Sequence, residues 1–168
     1  MKKIPHTVRG ARQRGSMLIE VLVAVLIFSV GILGIVGLQA SAVNASSDAK
    51  YRSEAGLLAN ELIGQMWASD RTQATLQAAF HSPTSGASYQ AWAWGGAGGG
   101  GNQTAPATGT VLQILPGAQS NPPLVVVAPV AAVSALSLPS SLVTITIFWQ
   151  APNEAVQHSY VATAQIGG

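Results

Sequence analysis

Hydrophobic residues form one long run near the start of the chain and shorter, alternating runs towards its end. No residue from Val21 to Leu38 carries a formal charge. At about 1.5 Å per helical residue this run spans about 27 Å, close to the thickness of a bilayer core. Apolar residues then recur three or four positions apart, at Tyr51, Ala55, Leu58, Leu62 and Met66. The pattern predicts one helix from Met17 to about Ser69, with a stripe on its second half that packs against a partner surface.

The remaining residues show shorter patterns, which predict a β-rich head. Thr72 to Phe80 can form a short helix, Ser82 to Gly86 turns the chain, and Gly95 to Gly101 is almost entirely glycine. Runs rich in Val, Ile, Thr and aromatic residues, separated by Pro, Asn, Ser or Gly, predict strands. The four predicted strands are Val111 to Leu115, Leu124 to Ala128, Val143 to Trp149 and Ser159 to Ile166, and Ala151 to Glu154 is the predicted hairpin loop.

Together these patterns predict an α+β fold in which a long N-terminal helix packs on a small antiparallel sheet. In the strand Val143 to Trp149, aliphatic residues alternate with two threonines, so its aliphatic face can cover the helical stripe. About 100 residues beyond the helix can hold one modest core, which favours a single globular head.

Charge separates the first residues from the rest of the chain. Five of the eight basic side chains lie before Ser16, where there is no acid, and the positive-inside bias keeps such a leader in the cytoplasm. The five are Lys2, Lys3, Arg9, Arg12 and Arg14. The candidate cleavage residue, Gly15, precedes the apolar run, so a cut there would retain the helix. Three basic side chains against six acids then remain, and no nucleic-acid partner is expected from that balance.

Glu20 is a carboxylate near the start of a segment that otherwise suits a bilayer. Such a charge costs about 2.5–3.5 kcal/mol or more in the bilayer core unless it meets a partner there. The segment is therefore predicted to assemble laterally with other chains. Gly31, Gly34 and Gly37 recur every three residues, which allows close helix packing, and their low helix propensity would also let this stretch bend.

These residues resemble a known family. The stretch from Gly15 to Gln39 reads GSMLIEVLVAVLIFSVGILGIVGLQ, and it is followed by Tyr51 to Ala55 and by Leu57 to Ala59. A basic leader that ends in Gly, followed by an apolar helix with Glu at its fifth position, resembles type IV prepilins and type II secretion pseudopilins, and most of all the PilV group of minor pilins. Ser16 stands where major pilins usually carry Phe, and the glycine series replaces their helix-kinking Pro.

The resemblance implies the roles of particular residues. Prepilin peptidase would cut between Gly15 and Ser16, and Ser16 would then be N-methylated. Glu20 would be the assembly carboxylate, pairing with the N-terminal ammonium of a neighbouring subunit. The expected organisation is a leader over residues 1–15, a transmembrane and assembly helix over 16–38, an amphipathic periplasmic helix over 39–71, and a head over 72–168 that includes the Gly-rich loop 95–101. Leu58, Leu62 and Met66 are expected to pack the helix on the sheet.

The function implied by the resemblance is that of a minor pilin, a low-copy subunit that helps initiate type IV pilus assembly. Its expected partners are other minor pilins, the major pilin, prepilin peptidase, the inner-membrane assembly platform and the lipid bilayer. The chain is expected in the inner membrane with a periplasmic head, and afterwards in the pilus at the cell surface, with the tip as one candidate position.

Two other functions stay open on the sequence alone. A minor pseudopilin of a type II secretion system would carry the same signal. A filament-tip adhesion module would use the Gly-rich loop with Trp92 and Trp94, although these tryptophans are more typical of sheet or loop anchors. The loop lacks the Gly-Lys-Ser/Thr ending of a phosphate-binding loop.

The sequence offers no set of residues that indicates catalysis or metal binding. It contains no cysteine, which excludes disulfides, a lipid-anchored cysteine and thiolate ligands. His81 and His158 are predicted at the surface, and no pair of residues has metal-ligand spacing. An exposed i,i+4 pair between Asp48 and Arg52 is predicted to lie on a solvated face. We therefore expect neither an enzyme nor a cofactor.

Overall fold

The structure is a computed structural model that describes residues 16–82, 86–95, 106–131, 139–152 and 154–167. Four helices come first: α1 (Ser16–Ala68), α2 (Gln73–Phe80), α3 (Ala87–Ala93) and α4 (Val111–Ile114). Three strands follow: β1 (Leu124–Val130), β2 (Ser140–Trp149) and β3 (His158–Gly167). A long apolar helix followed by a small sheet confirms the α+β layout predicted from the sequence.

The chain divides into two compact units within α1, residues 1–45 and residues 46–168. In the first unit, α1 exposes its apolar side chains, from 46 % of Ile32 to 74 % of Leu38. In the second unit, α1 presents one buried stripe: Ala55, Leu62 and Met66 are fully buried and Leu58 is 6 % exposed. The predicted helix and the predicted stripe are both confirmed.

The core of the second unit forms between this stripe, the sheet and the short helices. Three aliphatic residues of β2, Val143, Ile145 and Ile147, are fully buried with the stripe in one hydrophobic cluster. The two threonines of β2 lie on the other face and are only partly buried, as the alternation predicts. The remaining large members of the core come from α2 to α4, from the residue after α4 and from all three strands: Leu76, Phe80, Tyr89, Trp92, Val111, Leu112, Leu115, Val125, Val127, Trp149 and Ile166.

The sheet is antiparallel throughout, in the order β1-β2-β3. Leu124 pairs with Thr146 and Val130 with Ser140, which sets the register of β1 on β2. Ser140 pairs with Gly167 and Trp149 with His158, which sets the register of β3 on β2. The predicted hairpin between β2 and β3 is therefore present, and the strands extend a few residues beyond their predicted ends.

The predicted strand Val111 to Leu115 is wrong, because this segment forms helix α4. Val111, Leu112 and Leu115 are all buried, and positions 0, 1 and 4 share one face of a helix but not of a strand. The backbone N–H groups of Gln113 and Ile114 both donate to the carbonyl of Thr110 at the helix start. The β-branched residues of this segment favour a strand by local propensity. Only a helix, however, brings the three buried residues onto one face against the core.

Candidate functional site

The first candidate site is the N-terminal part of α1, which carries the expected assembly residues. Gly15 lies outside the described residues, and α1 begins at Ser16. Glu20 lies one turn further along with an exposed side chain, and no described residue forms an ion pair with it. The carboxylate is therefore open to a group on another molecule.

The surroundings of Glu20 are apolar. Its neighbours Ile19 and Val21 are 65 % and 60 % exposed, and the apolar side chains continue along α1 through Val43. One helix in the described part of the chain is long and apolar enough to span a membrane, with a mean hydropathy of 2.9 over its most apolar window. The polar residue Ser29 is compatible with a membrane-spanning helix. Its hydroxyl donates to the carbonyl of Val25 at 2.7 Å and is therefore hydrogen-bonded within the helix.

The three glycines of the first unit leave open space beside the helix. A Cβ atom built at Gly31, Gly34 or Gly37 meets no heavy atom within 4 Å. Residues 31, 34 and 37 follow one another at offsets of about 60° around the helix and so span about 120° of arc, because three residues turn it by about 300°. They form a shallow row, inclined by about 45° to the helix axis, along which another helix can approach closely. Their predicted packing role remains a prediction.

The predicted packing residues lie in the second unit and are buried. Leu58, Leu62 and Met66 all belong to the core cluster that includes the sheet. The indole N–H of Trp92 donates to the carbonyl of Leu58 at 3.1 Å, which fixes α3 against α1. Trp92 is only 4 % exposed. It is thus a core anchor on a helix, and the surface platform considered for it in an adhesion module is wrong.

A second constellation was not predicted from the sequence: Asp48, Trp149, Glu154 and His158 meet where α1 passes the β2–β3 hairpin. The Nδ1 atom of His158 lies 3.3 Å from Oδ1 of Asp48, and its Nε2 atom lies 2.8 Å from Oε2 of Glu154. The same Asp48 oxygen accepts a hydrogen bond from the indole of Trp149 at 3.3 Å. The imidazole also stacks on the Trp149 ring, with centroids 5.7 Å apart and planes 15° apart.

This arrangement fastens the hairpin to the helix. A protonated imidazole donates from both nitrogens and so can bridge the two carboxylates, whereas a neutral one donates from a single nitrogen. Since both ring nitrogens of His158 already face carboxylates, neither is directed at a metal position. Across the described residues, no group of three His, Asp or Glu side chains could hold a metal ion.

Two predictions about polar residues are therefore corrected. Asp48 does not pair with Arg52, because it faces His158 and Trp149; the i,i+4 pair on α1 is Lys50–Glu54, 3.8 Å apart. The histidines are not simply surface residues. His158 is 32 % exposed within its cluster, and the Nδ1 atom of His81 accepts the backbone N–H of Val127 at 3.2 Å. The only local signal for the cluster was the i,i+4 spacing of Glu154 and His158 around the predicted loop.

Two further side chains hold the segments around α2 and α3 in place. Tyr89 is 4 % exposed and donates its hydroxyl proton to the carbonyl of Pro123 at 2.7 Å, and burial raises its pKa to about 12. The backbone N–H of Thr72 donates to the carboxylate of Asp70 at 3.0 Å and lowers the pKa of Asp70 below its usual value. Thr75 adds a hydrogen bond at 3.2 Å to the other Asp70 oxygen, which organises the start of α2.

Comparison of the chain with protein-family models, with curated proteins and with solved structures finds no match in any of the three. The structure defines a class of protein: an α+β head preceded by one long apolar helix that could span a membrane. Of the Gly-rich segment, only Gly95 belongs to the described residues, with a φ of 89°. The predicted loop over 96–101 lies outside them.

Proposed function

We propose that this chain is a minor pilin, a low-copy structural subunit that helps to initiate type IV pilus assembly with other minor pilins. The observation that carries the proposal is Glu20. It is the fifth residue after Gly15 and lies on an uninterrupted helix that begins at Ser16 and exposes apolar side chains on all sides. A helix serving only as an anchor has no use for a charge at this position.

In this proposal the leader is removed between Gly15 and Ser16, and Ser16 is N-methylated. The new N-terminal ammonium of one subunit then pairs with Glu20 of the next. Opposite charges about 4 Å apart in a setting of low dielectric constant offset much of the cost of burying each. Glu20 therefore favours a subunit inside a helical assembly over an isolated subunit in the bilayer.

The first unit supports this assembly role. Its apolar side chains are unburied within the chain, and its three glycines leave room for a neighbouring helix. Before assembly the chain resides in the inner membrane with a periplasmic head, and prepilin peptidase and the assembly platform act on it there. The subunit then joins the major pilin in the filament, with the tip among its candidate positions.

The same signal serves a minor pseudopilin of a type II secretion system, which is the second candidate function. The two differ in their product, since one builds a surface filament and the other supports secretion. Loss of surface pili after deletion of the gene supports the pilin, whereas lost protein secretion with normal piliation supports the pseudopilin. Mass spectrometry of sheared filaments adds the stoichiometry: a minor pilin is present far below the dominant subunit.

The decisive experiment replaces Glu20 with alanine in the full chain expressed in its own membrane. We expect Glu20→Ala to insert and to be cleaved normally, because a neutral helix still favours the bilayer, but to lose its crosslinks to other pilins. Glu61→Ala is the matched control, since Glu61 is exposed on the same helix and its carboxylate accepts a hydrogen bond from Gln65 of that helix, at 3.2 Å. Intact mass reports cleavage, and Gly15→Val should leave the precursor uncut.

Two results would contradict the proposal. The first is a mature chain that begins at Met1 or that is cut after the apolar run near Ala42. The second is a Glu20→Ala variant that crosslinks to other pilins as efficiently as Glu61→Ala. Either would leave the α+β head and its apolar helix unchanged, and would remove the reason for assigning them to a pilus.

A further inference from the structure

The two edge strands of the sheet, β1 and β3, differ in whether their outward backbone groups are hydrogen-bonded. Along β1, the backbone groups of Val125 and Val127, which face away from β2, are all hydrogen-bonded. The N–H of Val125 donates to Oγ of Ser82 at 2.8 Å, and its carbonyl accepts the N–H of Ser82 at 2.9 Å. The N–H of Val127 donates to Nδ1 of His81 at 3.2 Å, and its carbonyl accepts Nε2 of Gln77 at 3.0 Å.

The next outward position of β1 is Pro129, which has no N–H to offer. The β1 edge is therefore closed by the end of α2, by the segment that follows it and by a proline. These are the devices by which folded proteins prevent an edge strand from pairing with another chain.

The register shows which groups of β3 are free. In an antiparallel pair, a residue directs both its N–H and its C=O either towards its partner strand or away from it, and the two orientations alternate. The backbone N–H and C=O groups of Val125 and Val127 face away from β2. The backbone groups of their partners, Ile145 and Val143, therefore face β3. On β3, Ala162 pairs with Ile145 and Ala164 pairs with Val143, so the backbone groups of these two alanines face β2.

The intervening β3 residues, Ser159, Val161, Thr163 and Gln165, thus direct their N–H and C=O groups away from the sheet. All four side chains are exposed. In the described part of the chain, no backbone hydrogen bond joins β3 to any segment other than β2. Four donors and four acceptors therefore stand in a row along the β3 edge.

Nothing on β3 protects this edge. Its register with β2 is continuous from His158 to Gly167, without a bulge, and the strand has no proline and no Lys, Arg, Asp or Glu. Between residues 72 and 168, Glu154 is the one residue with a formal charge. An edge that is regular, uncharged and unblocked is the surface to which an extended segment adds.

The core is also open on this side. The β3 side chains that face the core include Ala162 and Ala164, which are small and only partly buried and so mark this margin of the core. A strand added to β3 would extend the apolar face of the sheet over this margin. It would cover the margin well if its side chains on that face were bulky.

We propose that the outer edge of β3 binds an extended, uncharged segment of a different protein chain, with bulky apolar residues at alternate positions, which adds as a fourth strand. A second copy of β3 fits less well, since pairing β3 with itself would bring the same small alanines beside Ala162 and Ala164. This inference rests on the edge of the sheet and does not require the pilin function.

The test exploits the absence of cysteine from the chain. Single cysteines at Ser159, Val161, Thr163 and Gln165 of the full chain, in its native membrane, are labelled with a benzophenone maleimide. After irradiation, the adducts are mapped to residues by mass spectrometry. Strand addition predicts that successive positions attach to residues of one partner segment two apart, in a constant direction. Scattered adducts, no adducts, or adducts to β3 of a second copy would each overturn the proposal.

A matched pair of charge variants tests the edge itself. Thr163→Lys places a charge beside the incoming strand, whereas Thr144→Lys places it on the same face of the central strand, directly opposite. We expect the first to lower the crosslink yield from Val161 about tenfold and the second to leave it unchanged. Thr163→Pro removes one outward donor and no hydrogen bond to β2, so it should fold and also lose the crosslink. Equal yields from the two lysine variants would overturn the proposal.

Discussion

Replacing Tyr89 with phenylalanine tests the account of the core through its dependence on pH. The Tyr89 hydroxyl is buried and donates to the carbonyl of Pro123 at 2.7 Å. Removing it leaves a buried carbonyl without its donor, which costs about 1–3 kcal/mol at neutral pH. Tyr89→Phe should therefore be less stable than the native chain by that amount near pH 7.

At alkaline pH the difference in stability between the two chains should shrink. An unfolded tyrosine ionises near pH 10, whereas burial raises the pKa of Tyr89 in the folded chain to about 12. The neutral form is thus favoured by folding, so this stabilisation is complete below pH 10 and is lost as the pH rises towards 12. A difference of two pKa units corresponds to about 3 kcal/mol. The phenylalanine variant lacks this loss, so the two stability curves should converge between pH 10 and 12.

Urea unfolding of the full chain in detergent micelles, followed by tryptophan fluorescence at a series of pH values, measures both curves. Tyr51→Phe is the matched control, because Tyr51 is only partly buried, at the margin of the core. Its curve should run parallel to that of the native chain. If the curves of Tyr89→Phe and the native chain stay parallel from neutral pH to pH 12, the prediction is wrong, since the buried hydroxyl would then ionise as readily in the folded chain as in the unfolded one.

Two further predictions concern the helix stripe and the glycines. Leu62→Asp places a carboxylate at a fully buried position of the core, and we expect the head to unfold, whereas Leu57→Asp lies on the opposite, 68 % exposed face and should keep its thermal midpoint within a few degrees. Similar midpoints for both would contradict the stripe. Gly64→Ala and Gly117→Ala should have opposite effects in urea unfolding. A Cβ at Gly64 meets nothing within 4 Å, so alanine should stabilise α1 by up to about 1 kcal/mol, whereas Gly117 has a φ of 76° and a Cβ there would lie 3.0 Å from Cβ of Gln150, which should cost about 1–2 kcal/mol. Stabilisation by both substitutions would show that the turn at Gly117 is not strained.

Elements with a sustained period could be predicted from the sequence. The stripe on α1 repeats over four turns, and the alternation in β2 extends over seven residues. Each period places its apolar residues on one face of only one type of element, a helix or a strand. Helix α4 could not be predicted in this way. It is too short for a period to develop, and its two β-branched residues, Val111 and Ile114, favour a strand by local propensity.

The Asp48 cluster shows the limit for polar sites. Its indole donor, Trp149, lies 101 residues along the chain, so no local pattern links the two. Helix α3 was missed for a similar reason: the side chains of Trp92 and Tyr89 donate to the carbonyls of Leu58 and Pro123, each 34 residues away. Contacts of this kind depend on the tertiary fold. In the N-terminal segment, by contrast, Gly15, Ser16 and Glu20 are close enough in sequence to be recognised together.

The order of the elements along the chain has a consequence for biosynthesis. The stripe of α1 leaves the ribosome first, whereas β2 and β3, which contribute Val143, Ile145, Ile147 and Ile166 to the same core, leave it last. The core therefore cannot close until β3 has been synthesised. Such long-range pairing slows folding, and the unpaired stripe stays exposed meanwhile. The second unit of a nascent chain of this design therefore stays unfolded until β3 has left the ribosome.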